Sequence, residues 1–346
     1  IRYGLDLPPS IYPIFENALR AARGLDLDQH RTAMGNLMSP FTRVAAANPD
    51  AWFPTYRSPE ELTTATSQNR MVGFPYTKYL NAFLDTDQAS AVLLMSQDKA
   101  RALGVPESKW VYWRGGAKQN EAQWFASSRS DFARCPAIAA CHNAALDRAG
   151  LSLAQIDAFD LYSCFPVAVS MACEMFGVAE DDPRGHTVTG GLPYAGGPAS
   201  AYSLHAVATM MDRIRNGSAG AGMVTGNGWY LTKHSALILA NRPGEQTTEP
   251  VFGTVWNGDE AEAKVPAVEI QPEANGEARV ETYTMIFDRE GRPARGIVIG
   301  RLNDGQRFLA NTPDDFALNQ QIVEKEFIGQ PGRVVHKDGM NRFEPT

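Results

Sequence analysis

The 346 residues carry 32 Lys and Arg against 39 Asp and Glu, a formal net charge of −7, and 44% of them are hydrophobic, enough for a sizeable core. That acidic balance argues against nucleic-acid binding, which needs a dense, clustered Lys/Arg surface for phosphate. The longest apolar runs, such as Ala91 to Met95, are too short to span a bilayer, so no membrane protein is expected, and small molecules or protein partners fit better.

The chain starts Ile1-Arg2-Tyr3-Gly4, without an initiating Met or a charged-then-apolar signal segment, and is expected to be a fragment of a longer protein. Ile11, Ile14, Phe15, Ala18, Leu19 and Ala22 fall at helical spacing, with Gly24 placed to end the helix in a left-handed cap. A second helix is predicted from Asp28 as N-cap, burying Met34, Leu37, Met38 and Phe41. Loop then follows, broken by Pro49, Pro54, Pro59 and Pro75 and rich in aromatics, of a kind that packs under or covers a pocket. The continuous apolar run Ala89 to Met95 predicts a strand buried on both faces, and Trp110 to Trp113 a second one. Next come a helix from about Ser130 to Ala149 stopped by Gly150, a capping box at Ser152 and Gln155, and a strand from Ala158 to Leu161. Pro166 opens another helix closed near Gly177, Val188 is assigned to a strand, and Pro198 begins a helix reaching Asn216-Gly217. Strands around Met223-Val224 and Ser235 to Ala240 complete a layered α/β sheet with parallel crossovers. Beyond Pro243 the period becomes two, with turn signals at Asp288 to Gly291 and Asn303-Asp304-Gly305, which predicts a small antiparallel, OB-like barrel.

The four cysteines, Cys135, Cys141, Cys164 and Cys173, contain no CxxC pair and are expected to be reduced thiols of a cytoplasmic protein; with no second cluster at ligand spacing, no metal is expected. Three segments gather chemistry at strand ends. In Tyr162-Ser163-Cys164-Phe165-Pro166 a strand gives way to a helix whose dipole would favour a thiolate at Cys164 or an oxyanion beside it; a small buried hydrophobe is the alternative for that cysteine. Gly190-Gly191-Leu192-Pro193-Tyr194-Ala195-Gly196-Gly197-Pro198 allows close backbone approach to a ligand, or simply tight helix packing, and is neither a dinucleotide fingerprint nor a phosphate loop. Thr225-Gly226-Asn227-Gly228 runs toward His234, a candidate general base or a structural histidine, while His142 and His205 are expected to be structural.

In this order, the three segments resemble the motif loops around the acyl-CoA pocket of thiolases. The Asn-Glu-Ala-Phe or His-Asp-Cys-Phe loop of that superfamily is matched by Tyr162 to Phe165, its Gly-Gly and Gly-His-Pro by Gly190-Gly191 and Gly196-Gly197-Pro198, and its Cys-x-Gly-Gly-Gly loop by Val224 to Gly228. Upstream stretches such as NPDAWFPTYRSPEEL and DTDQASAVLLMSQDKARALGV are similar to thiolase-like proteins akin to the sterol-carrier thiolases, and the tail resembles the additional C-terminal domain of thiolase-like protein type 1. The resemblance implies a layered αβαβα thiolase-like fold with an incomplete N-terminal half: residues 1–125 as the remainder of that half with its loop region, 126–242 as the C-terminal half, and 243–346 as the added OB-like domain.

It also implies a homodimer of lipid metabolism acting on a coenzyme A thioester as substrate, with no bound cofactor, of acetyl-CoA acetyltransferase type. Tyr162, Cys164 and His234 are the catalytic candidates; Ser163, Gly191, Tyr194, Gly196, Gly197, Thr225 and Asn227 are the candidates for substrate or coenzyme A binding. The departures are chemical. Gly197 stands where the superfamily has its catalytic histidine, Val224 or Thr225 where it has its acid/base cysteine, and the acyl-accepting cysteine belongs to a segment outside this sequence. Tyr162 replaces the oxyanion-hole residue and retains a donor; retro-aldol cleavage of a CoA-linked side chain and non-catalytic acyl-CoA binding are the alternatives to acyl transfer.

Overall fold

The structure is a computed structural model that describes residues 2–244, 256–257 and 267–346. Two long helices, α1 (Pro8–Ala22) and α2 (Leu27–Ala47), lead, followed by α3 (Pro59–Thr63), the short strands β1 (Met71–Gly73) and β2 (Tyr76–Thr77), and α4 (Gln97–Ala102). The second helix is capped by Asp26, two residues before the expected Asp28. Only Asp26 has Gln29 three residues on, and the two close a reciprocal capping box at 2.8 and 3.1 Å.

A five-stranded sheet follows in the order β4-β5-β6-β3-β7, from β3 (Tyr112–Asn120), β4 (Ala158–Asp160), β5 (Ala221–Gly228), β6 (Lys233–Ala240) and β7 (Trp256–Asn257). Helices α5 (Pro136–Ala149) and α6 (Pro166–Phe176) cover one face and α7 (Tyr202–Arg215) the other. Side chains on β5 alternate accordingly: Met223 joins the α5/α6 core, and Val224 packs with Met210 and Ile214 under α7. The expected helix limits hold where glycine stops them, Gly150 and Gly177 both adopting left-handed φ of +62° and +73°.

Three expectations fail. The sheet is mixed, because β5 and β6 are joined by the four residues 229–232 and a crossover needs far more chain; only β4–β5 and β3–β7 run parallel. The apolar run Ala89 to Met95 is irregular, with Leu93 and Leu94 85% and 70% exposed, since no strand among the described residues pairs with it. Val188 lies in no strand; side-chain hydrogen bonds, not a ladder, hold its segment.

Beyond Gly276 the chain closes a barrel, in agreement with the period-two pattern. Strands β8 (Gly276–Phe287), β9 (Pro293–Leu302), β10 (Arg307–Asn311), β11 (Pro331–Lys337) and β12 (Met340–Pro345) pair in the order β8-β9-β10-β12-β11-β8, with α8 (Phe316–Glu324) between β10 and β11. β10 and β12 are parallel and the other pairs antiparallel, the arrangement of an OB-like barrel. Tyr283, Met285, Val298, Phe308, Val334 and Phe343 fill it.

The barrel is joined to the α/β body along α1, where Asn17 Nδ2 donates to the Tyr283 carbonyl and the Thr282 hydroxyl to the Ile14 carbonyl, beside β1, and at Arg307. Gly73 pairs with Ile286, and a Cβ on it would stand 2.2 Å from the Pro9 carbonyl oxygen, so only glycine lets α1 approach. Arg307, wholly buried, grips Glu281 with two nitrogens and donates through Nη1 to the carbonyls of Ser127 and Arg129. No helix among the described residues is long and apolar enough to cross a membrane.

Candidate functional site

Parallel pairing of β4 with β5 sets the end of β4 beside Thr225 to Gly228, which are not a loop but the last residues of β5, paired with β6 as far as Gly228 with Lys233. The link is sealed by the Tyr162 amide donating to Thr225 Oγ1 at 2.9 Å. Pro166 in the first turn of α6 then fixes the direction of Ser163-Cys164-Phe165.

Behind this loop lies the buried carboxylate of Asp160. Its Oδ2 accepts from the Thr187 hydroxyl, the Val188 and Thr189 amides and the Thr189 hydroxyl at 2.9–3.2 Å, and its Oδ1 accepts from the Tyr202 hydroxyl at 2.9 Å. These bonds shape the segment leading into Gly190-Gly191. Gly191 has φ +83°, and a Cβ there would meet Phe41 and Ser163 Oγ at 2.7 Å, so its role is close packing.

A cavity of about 650 Å³ opens at the ends of these strands, lined by Tyr162, Asn227 and His234, by Ser203 on α7, and at its sides by Lys118 and Lys233. Burial first, and the Cys164 thiol second, push the Tyr162 phenol up, so it stays protonated and able to donate a hydrogen bond. Asn227 Nδ2 donates to the Tyr12 hydroxyl at 3.2 Å and approaches Cys164 Sγ at 3.9 Å, while its buried Oδ1 has no partner. Burial also drives the Cys164 thiol up to about 12, outweighing the hydrogen bonds from Tyr12 and the Phe165 amide that favour a thiolate. His234 is pushed down to about 3, chiefly by burial, and its Nε2 lies 3.3 Å from Cys135 Sγ.

The expected residues therefore separate. Tyr162, Asn227 and His234 share one cavity, with Cys164 just behind Asn227 and Tyr12. Ser163 Oγ accepts from the Leu192 amide and Thr225 bridges β4 and β5, both as structural ties. Tyr194 is buried, Gly196 lines a second cavity of about 410 Å³ with Gln88 and His205, and the Gly197 amide donates to the Phe83 carbonyl at 2.8 Å. Tyr12, Lys118 and Lys233 are not among the candidates expected from the sequence, although Lys233 directly precedes His234. Tyr12 sits on the apolar face of α1, stacked on Phe165 at 4.4 Å, where only its hydroxyl distinguishes it from a core aromatic. The two lysines reach the cavity from neighbouring strands that are distant in sequence.

A family profile described as "Thiolase-like protein type 1 additional C-terminal domain" matches residues 259–340. The crystal structure of a monomeric SCP2-thiolase like protein type 1 from Mycobacterium smegmatis is 39% identical and covers all of this chain and 74% of that one, with a TM-score of 0.89. The 3-ketoacyl-CoA thiolases of Yersinia pestis (strain Pestoides F) and Yersinia pseudotuberculosis serotype O:1b (strain IP 31758) are 29% identical over 154 residues, 40% of this chain. The match spans about a third, 33%, of the length of those curated relatives. The Ltp2-ChsH2(DUF35) aldolase, 18% identical with a TM-score of 0.56 over 70% of this chain and 65% of that one, shares the fold alone.

Proposed function

The chain belongs to the SCP2-thiolase-like protein type 1 family, and on that footing we propose that it binds a coenzyme A thioester in the Tyr162 cavity and polarises the acyl carbonyl there, within an acyl-transfer reaction of acetyl-CoA acetyltransferase type. The reading rests on one observation: a protonated phenol and two lysines line a single cavity. Tyr162 donates to the thioester oxygen as negative charge develops on it, the task of an oxyanion hole. Lys118 and Lys233 supply positive charge for the phosphates of coenzyme A.

A second reading, binding without turnover, is favoured by Gly197 and Thr225, which carry no group able to shuttle a proton in this fold, and by His234, whose Nε2 is engaged by Cys135. Both readings require thioester recognition. Calorimetric titration of the full chain is expected to show acetyl-CoA binding more tightly than free coenzyme A. Tyr162→Phe is expected to remove about fivefold of acetyl-CoA affinity, the worth of one hydrogen bond of about 1 kcal/mol, and to leave free coenzyme A unaffected. Equal affinity for the two ligands in the unmutated protein, or no binding of either, overturns the proposal. Thiolysis or condensation measured across an acyl-CoA panel separates turnover from binding.

A further inference from the structure

We propose that Glu121, Cys135 and His234 form a binding site for one divalent transition-metal ion of the zinc class. The three are far apart in sequence. Glu121 follows the end of β3, Cys135 precedes α5, and His234 lies on β6 opposite Gln119. Their ligand atoms nonetheless all fall within 4.8 Å of one another, a grouping of three such side chains found only here among the described residues. Cys135 Sγ is 3.0 Å from Glu121 Oε1 and 3.3 Å from His234 Nε2.

A tetrahedral zinc ion with bonds of about 2.0–2.3 Å keeps its ligand atoms roughly 3.3–3.6 Å apart, so the two sulfur separations stand within about half an ångström of those of an occupied site. Sulfur, imidazole nitrogen and a single carboxylate make a donor set that suits zinc or cobalt and not magnesium or calcium, which take oxygen. The carboxylate is oriented from outside, as metal ligands commonly are: the Ala137 amide donates to Glu121 Oε1 at 3.0 Å and Arg129 lies 3.3 Å from Oε2. The carboxylate and a thiolate offset the two positive charges of the ion, and the Arg129 guanidinium remains beside them as the one uncompensated charge of the cluster. Binding forms the metal–sulfur bond and releases the Cys135 thiol proton to solvent. The inference does not depend on the thioester reading.

Cobalt(II) is the probe. Titration of the purified, metal-free full chain is expected to saturate at one equivalent with a thiolate-to-cobalt charge-transfer band. Cys135→Ser should abolish the band while leaving the circular dichroism unchanged, and His234→Gln and Glu121→Gln should each weaken cobalt binding at least tenfold. A folded, unmutated protein without the band at equimolar cobalt overturns the proposal, as does a band that persists in Cys135→Ser and so belongs to another thiol. Should Cys135→Ser fail to fold, Glu121→Gln decides: an unchanged band and affinity also count against the site.

Discussion

Replacing Asp160 with alanine is expected to cost more than about 4 kcal/mol of stability, read as a lowered urea midpoint for the full chain. The carboxylate is fully buried and accepts five hydrogen bonds, from the amides of Val188 and Thr189 and the hydroxyls of Thr187, Thr189 and Tyr202. Alanine would strand two buried amide donors, each at about 1–3 kcal/mol, and open a cavity beside β4. The segment from Thr187 to Gly191 has no sheet ladder to fall back on. Its amides should therefore lose protection from hydrogen exchange first. Asp160→Asn should cost far less, because one amide oxygen can still accept from the two backbone amides while its NH2 group faces Tyr202, whose hydroxyl already lies 2.8 Å from Thr189 Oγ1. An alanine variant within about 1 kcal/mol of the parent would show that these bonds do not hold the loop.

Arg307→Leu is the second large effect, expected at about 3–5 kcal/mol, the scale for breaking a buried ion pair from one side. The guanidinium binds Glu281 on β8 and the carbonyls of Ser127 and Arg129 in the α/β body, and lies 4.7 Å from the centre of the Phe132 ring. Leucine fills much of the volume and satisfies none of those oxygens. Arg301, 3.1 Å from Glu281, can still neutralise the carboxylate, so the expected loss falls on the joint between barrel and body more than on the barrel itself. Limited proteolysis should then cut between body and barrel faster in Arg307→Leu than in the parent. An Arg307→Leu protein with unchanged midpoint and unchanged proteolysis would remove this residue from the joint. Arg307→Lys should recover only part of the loss, since an ammonium cannot present the same fork to a carboxylate.

What the sequence announces in this protein is what local physics controls. Proline at the start of α6 and glycine after α5 and α6 place helix limits at the residues expected. The change to period two after Pro243 announces the barrel, because alternation is a property of each strand by itself. Where an element's state depends on a distant partner, the reading fails. Ala89 to Met95 has the composition of a buried strand and lacks a pairing neighbour among the described residues. Val188 is held by Asp160 through its backbone, and a single aspartate 28 positions earlier leaves no periodic trace.

The site divides along the same line. Tyr162 and Asn227 are legible because one stands shortly before the proline that opens α6 and the other in the glycine-rich end of β5, while Gly191 and Ser163 have similar neighbours and turn out to serve close packing. Cys135 and His234, 99 residues apart, touch through a fold that no spacing rule encodes. The cysteine at the helix start illustrates a contest of magnitudes. Burial, the larger effect, leaves the Cys164 thiol protonated, although hydrogen bonds from Tyr12 and the Phe165 amide pull it down.

The central claim is that Tyr162 polarises a thioester carbonyl, and the infrared stretch of a carbonyl-labelled acetyl-CoA bound to the full chain tests it most directly. A shift to lower frequency on binding, lost in Tyr162→Phe at equal occupancy, is the predicted result; a bound ligand whose stretch stays at its solution position, or shifts equally in the variant, would contradict it.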